Sequence, residues 1–316
     1  MALTLTDAKA LSQDKLWNGV VDEFVKSALL DKMLFDNCVK PQGRSMAYVY
    51  NRVTTFPTAA TRAINADYTP QEAKTTQITA NLKIFGGSYS IDRALRSNEE
   101  QVVDLVMFER DQKTKATIAL FHDLVINGDS AIGDGTQFDG LDKILTGSST
   151  EIDPGAIALD SAANIKTNWE AFVYQFSKMR EVMDGAPTLY LMNRGMFSAM
   201  QSVLRFAGQN TSTKENYGSE VIQWGDALLM ALGDRAGSSN PVIATNGATG
   251  ETDIYAVRLG MDGFHGISPE GLGIVNTYEP DFRRTEAVQT GAVEMIAAVA
   301  LKATKAAAVL RSIKIA

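Results

Sequence analysis

The chemistry open to this chain starts from a short inventory: two histidines (His122 and His265), one cysteine (Cys38) and 37 acidic residues. A lone cysteine forms no internal disulfide and no CxxC redox or metal pair, which fits synthesis in a reducing, intracellular compartment. Without an HExxH string, a zinc site has to lean on carboxylates, an uncommon donor set. The phosphate-cradling GxxxxGKS/T and nucleophile-elbow GxSxG strings are absent, and Gly133-Asp134-Gly135 with Gly140 later lacks dinucleotide-binding spacing. Asp129, Asp134, Asp139 and Asp142 crowd one stretch, but not with the alternating ligands, central glycine and closing glutamate of a calcium loop. Turn-forming aspartate is the better account of them. His122, beside Phe121 and Asp123, and His265, in the turn Gly263-Phe264-His265-Gly266, both read as structural histidines, and Cys38 as a small buried residue. No catalytic residue, metal or cofactor is expected, and the chain is read as not an enzyme.

The elements that carry these residues follow from composition and periodicity. The 316 residues hold 30 Lys+Arg against 37 Asp+Glu, a formal charge of −7, with 45% hydrophobic and 21% charged residues. That is an ordinary globular balance for one large domain or two smaller ones. The acidic excess argues against a free nucleic-acid reader. No run reaches the 18 apolar residues of a membrane helix, and Met1 to Asp7 has neither basic flank nor long apolar core, so no membrane segment or secretory signal is expected.

Leu16, Val20, Val21, Phe24, Leu29 and Leu30 recur near helical spacing and predict a helix over 12–37, stopped by Pro41 and Gly43. Alternation at 44–55 and 75–85 predicts two strands, separated by a segment with Pro57, Pro70 and little core material. Together, 44–85 reads as a long two-stranded arm ended by Gly86-Gly87, with a short strand at 88–91 beyond. Such an arm is marginal alone in water, so it folds back on its own domain or lies on a neighbour. Ser97-Asn98-Glu99-Glu100 is a capping box, opening a helix to about Asn127 with Gly128 as its stop. Both ends of that helix are apolar. Its waist, Glu109 to Lys115, is polar all round, which suits a helix bridging a surface or two subunits. A second box, Thr167-Asn168-Trp169-Glu170, predicts a helix to about Asp184. Short strands at 188–192, 221–224, 241–244, 253–259 and 272–278, with a helix at 195–205, follow, and 293–315 reads as a buried closing β-hairpin.

Three strings in this order resemble the major capsid proteins of tailed bacteriophages. The first is Asn127-Gly128-Asp129, then Gly133-Asp134-Gly135 and Phe138-Asp139-Gly140-Leu141, directly after the long helix. The second is Tyr190-Leu191-Met192-Asn193 leading into a helix, and the third is the close, Glu294 to Leu301 followed by Ala306 to Leu310. The resemblance covers nearly the whole chain. It implies an α+β phage major-capsid fold, divided into an N-terminal arm (1–43), an extended loop (44–87), a peripheral domain around a long spine helix (88–185 and 285–316) and an axial domain (186–284). It further implies self-assembly into pentamers and hexamers of an icosahedral shell around double-stranded DNA, without sequence-specific contacts. The implied place is the virion capsid, assembled in the host bacterial cytoplasm. A portal and a separate scaffold or decoration protein would be partners. No lysine lies between Lys40 and Lys74, so lysine–asparagine crosslinking from the loop tip is not expected.

Candidate intersubunit contacts are Arg44, Arg52 and Arg62 on the arm, Glu109, Arg110 and Lys113 on the helix waist, and Arg283, Arg284 and Glu286 in the charged cluster that begins at Glu279. Each also has a plainer reading as a solubilising surface charge. Two rivals stay open: an encapsulin-type nanocompartment shell, with the same fold, and a carboxylate-dependent hydrolase, for which no acidic pair stands out.

Overall fold

Strand alternation and glycine placement build most of this molecule, and the computed structural model describes residues 29–39, 46–96, 105–132, 135–208, 212–214, 220–271, 273–283 and 285–316. Most of the helix predicted over 12–37 lies outside them. Its C-terminal end is a four-residue turn, α1 (Leu29–Lys32), followed by a strand, β1 (Phe35–Val39). The strand wins over helical spacing because it has a partner: Phe35 aligns with Gly266 in a parallel pairing, and a Cβ on Gly266 would sit 2.5 Å from the Phe35 ring.

The arm is a two-stranded ribbon. β2 (Ala47–Thr55) pairs antiparallel with β3 (Lys74–Asn81), placing Tyr48 opposite Ala80 and Arg52 opposite Thr76. Gly86-Gly87 does not end it. After buried Leu82 the chain continues as β4 (Lys83–Asp92), running through both glycines. They are there for close approach: a Cβ on Gly86 would lie 2.0 Å from the Val293 carbonyl oxygen, and one on Gly87 3.0 Å from the Lys113 stem.

A short helix, α2 (Arg93–Arg96), precedes the long α3 (Leu105–Asn127); the capping box at Ser97–Glu100 lies outside the described residues. Over its described length α3 spans about 35 Å. Phe121, Leu124, Val125 and Ile126 bury its C-terminal half. It stops at Gly128, where a Cβ would meet the Phe138 carbonyl oxygen at 2.4 Å. After α4 (Leu141–Leu145) and the short strands β5 (Glu151–Ile152) and β6 (Ile157–Ala158) comes α5 (Ala162–Val182). It begins nearly two turns earlier than the predicted box: Ser161 accepts the Asn164 amide at the N-terminus, while Thr167 sits within the helix with its hydroxyl donated back to the Ala163 carbonyl.

β7 (Leu189–Met192) leads through the capping residue Asn193 into α6 (Arg194–Phe206), then β8 (Ser212–Lys214), β9 (Glu220–Trp224), β10 (Ala227–Ala231) and β11 (Glu251–Val257). The strand predicted at 241–244 is instead a buried loop: Pro241 makes a single bridge to Asp234, and the Val242 and Ile243 carbonyls accept from Asn127 and Asn193 side chains. β12 (Phe264–Pro269), β13 (Val275–Tyr278), β14 (Val288–Leu301) and β15 (Ala307–Lys314) complete the chain.

The last two strands are not a hairpin. β14 is the hub of a five-stranded sheet with β1, β4, β12 and β13, whereas β15 lies in an eight-stranded sheet between β11 and the short β5 and β6. A 3-10 turn, Thr304–Ala306, carries the chain from one sheet to the other. Apolar residues on both faces therefore mark two central strands in different sheets.

The eight-stranded sheet is a wall between two cores. Leu189, Leu191, Tyr255, Val257, Ala307 and Val309 face the core that holds α3 and the five-stranded sheet. Their neighbours Tyr190, Met192, Ile254, Ala256, Ala308 and Leu310 face a second core under α5 and α6. The two sheets thereby join segments from both sides of the expected divisions at 186 and 284.

Candidate assembly surface

The ribbon is gripped at its root and bare beyond it. Tyr48 is buried, donates its hydroxyl to Asp36 Oδ2 at 2.9 Å, and lies under the Lys302 ammonium, 5.4 Å from the ring centroid. The Tyr50 hydroxyl donates to the Leu301 carbonyl at 2.9 Å, and burial raises its pKa. Arg52 Nε donates to the Lys302 carbonyl at 2.9 Å. These three side chains alternate with outward Val49 and Asn51, as the pleat requires.

Past Arg52, every residue from Val53 to Gln77 is exposed. The bonds there are the ribbon's own: Thr58 donates through its amide and hydroxyl to Gln71, and Arg62 stacks on Tyr68 at 5.4 Å. Phe56 is 76% exposed and Ile64 91%. Burying such side chains is worth about 1.5–3 kcal/mol each, so the tip carries apolar area that its own subunit leaves in water.

Of the sequence-derived contact residues, Arg44 and Arg284 lie outside the described residues. Arg52 turns inward to its own chain, and Arg62 stands on the tip. On the α3 waist, Arg110 Nη1 bonds Glu279 Oε1 at 3.1 Å, the Lys113 stem covers Gly87, and Glu109 is half-exposed. Arg283 is exposed and joins Arg110, Glu279 and Asp281 around a groove of about 340 Å3 floored by Val106, Met107 and Phe282. Glu286 is exposed nearby in sequence and accepts from the Gln289 amide through its backbone carbonyl. The groove thus gathers one end of α3 with the loop after β13, two stretches 170 residues apart in the chain that local spacing does not connect.

Two polar clusters bear on the catalytic alternative. Lys143 Nζ bonds Asp129 at 2.5 Å and Asp139 at 2.8 Å, so an internal ammonium holds the aspartates of the turn. Its bond and the Ala131 amide keep the Asp129 carboxyl below the usual range. Arg311 on β15 bonds Asp253 at 2.7 Å, Glu151 at 2.8 Å and Thr146 at 2.9 Å, and also bonds Asp142, which the Tyr255 hydroxyl reaches at 3.0 Å. Burial opposes charge on Arg311, but three carboxylates outweigh it and raise its pKa. These carboxylates are tied to the guanidinium, and burial keeps the Asp253 carboxyl above its usual range despite that bond. The sequence carries no signal for this cluster, whose members come from four elements.

Neither a protein-family model nor a curated protein sequence matches the chain. Solved structures do. An encapsulin complex from Synechococcus elongatus PCC 7942 superposes with a TM-score of 0.64 at 14% identity, over 99% of this chain and 97% of that one. The fold is that of viral and encapsulin shells. The capsid of Myoviridae phage XM1 matches with a TM-score of 0.58 at 12% identity, over 94% of this chain and 96% of that one. The capsid of cyanophage P-SCSP1u gives 0.57 at 9% identity, over 98% and 94%. These neighbours are an encapsulin complex and two phage capsids.

Proposed function

We propose that this chain is the repeating subunit of a tailed-phage head, assembling into pentamers and hexamers of an icosahedral shell that encloses double-stranded DNA. The observation that carries the reading is the exposed ribbon from Val53 to Gln77 on a body with the shell fold. Its apolar tip finds cover on an identical neighbour, and Arg62 there meets the charged α3 waist and the Arg110–Glu279–Arg283 groove, with Glu109, Lys113 and Glu286 setting register. The divisions at 43, 87, 185 and 284 mark arm, loop, peripheral and axial regions. A portal, a separate scaffold or decoration protein, and the host bacterial cytoplasm as assembly site belong to the same reading.

An encapsulin-type compartment is the second reading, favoured by the encapsulin match over nearly the full length of both chains. Negative-stain microscopy of the purified chain tests the shared part: closed shells, tubes or rings of five and six are expected, and a compact monomer under every assembly condition overturns it. Gene neighbours separate the two readings, with terminase and portal genes for a phage head and a ferritin-like or peroxidase gene for a compartment.

A further inference from the structure

At the root of the ribbon sits a fully buried histidine with neither ring nitrogen hydrogen-bonded. His265 lies on β12, paired with Ala300 of β14, and the Tyr48 ring of β2 meets its imidazole edge-on, with centroids 5.9 Å apart and planes at 80°. A buried imidazole without a partner is tolerated far better neutral than charged. Its surroundings have both signs. Burial and the Lys302 ammonium disfavour a proton; the Gly263 and Gly260 carbonyls, which approach the ring without meeting hydrogen-bond geometry, and the Asp36 carboxylate favour one, and the balance puts its pKa below the ordinary imidazole value. The same Lys302 and Asp36 hold Tyr48, one over its ring and one on its hydroxyl. His265 therefore shares Lys302 and Asp36 with the side chain that anchors the ribbon.

We propose that this cluster is a proton-operated latch: a proton on His265 displaces Tyr48 and lets the ribbon's root lift from β12 and β14. Asp36, released from the Tyr48 hydroxyl, is the carboxylate placed to take the new charge. Tyr50 and Arg52, on the Leu301 and Lys302 carbonyls, are then the remaining holds, so the ribbon stays tethered while the backbone around Tyr48 loosens. The latch is intramolecular and does not depend on what the shell encloses.

Hydrogen exchange of the full-length, unassembled chain at pH 7.5 and pH 5.0, corrected for intrinsic rates, tests it. Protection over 46–52 and 264–269 is expected to fall about tenfold at the lower pH in the wild type and in His122→Leu, and in His122→Leu, where the titration of His122 is removed, β7 and β11 keep theirs. His265→Phe keeps a ring against Tyr48 and takes no proton, so its root stays protected at both pH values; His122→Leu keeps the wild-type response. Equal loss in His265→Phe, or an unchanged wild-type root, overturns the latch. If His265→Phe fails to fold, NMR of the wild-type chain decides, because it holds only two histidines. His265 and the Tyr48 ring must then shift together over one pH range, and separate titrations overturn the proposal. A chain that forms shells with a pH-insensitive root removes the latch alone; a chain with a working latch that never assembles removes the shell reading alone.

Discussion

The stretches Ala297–Leu310 and Val53–Gln77 differ in fate as far as this molecule allows. Ten of the fourteen residues of the first are buried, on both faces of its strands, while the second is exposed at every position. Both belong to extended chain next to strands with alternating patterns, and both contain small residues and scattered large apolar ones. The difference is in neighbours. The closing strands find two sheets and two cores to complete, whereas the ribbon beyond Arg52 finds no cover among the described residues of its own subunit. Alternation encodes a strand; what covers that strand is written elsewhere in the chain or in another copy of it.

The comparison can be broken first at the buried end. Leu310→Ala opens a cavity in the second core and is expected to cost about 2–5 kcal/mol in denaturant unfolding. A loss below 1 kcal/mol shows that the closing strand is not a central strand of the wall between the two cores. A pH series probes the next largest effect. His122 on α3 is buried, and desolvation lowers its pKa from 6.5 to about 4. The folded state therefore refuses a proton that the unfolded chain accepts. Stability from this group is complete above pH 6.5 and falls as the pH drops from 6.5 to 4, by about 3 kcal/mol in all. His122→Leu should flatten that slope, and an unaltered slope in unfolding midpoints against pH would remove the assignment. The ribbon end is expected to respond least in isolation. Phe56→Ser with Ile64→Ser should move subunit stability by less than about 0.5 kcal/mol, since both side chains are already in water. The same pair should abolish particles in light scattering; particles at wild-type yield would mean that the tip is not an assembly contact.

Much of the architecture is legible from residue patterns. The paired strands of the ribbon, the polar waist of α3, β7 followed by Asn193 and α6, and the Gly128 stop each rest on local chemistry that needs no distant partner. The errors share one cause. Phe35 to Asn37 close the stretch predicted as a helix yet begin a strand, because Gly266 clears space for the Phe35 ring. Gly86-Gly87 looks like punctuation, yet the glycines let β4 press against β14. The apolar close reads as a hairpin, yet its halves pair with strands far upstream. Thr167–Glu170 has the capping pattern, but Ser161 caps first. The surface was legible in outline: the arm was recognisable, while Arg52 was spent at its root, and the groove at Arg110 required the loop after β13 to return to α3. The latch and the Arg311 cluster left no local trace, since their members meet only after folding.

β3 and β4 flank a single residue, Leu82, so the ribbon and the centre of the five-stranded sheet are one nearly continuous backbone. β4 is bonded along its length to β14 in ten consecutive pairs, from Lys83 with Ala297 to Asp92 with Val288. Tension applied at the tip by an adjoining particle subunit would travel lengthwise down this ladder and load its rungs together, in shear. From β14 it would pass through the 3-10 turn to β15 and the other sheet. In the proposed shell, a wall made of such units would distribute load through covalent chain and whole ladders, and no single contact would bear the strain.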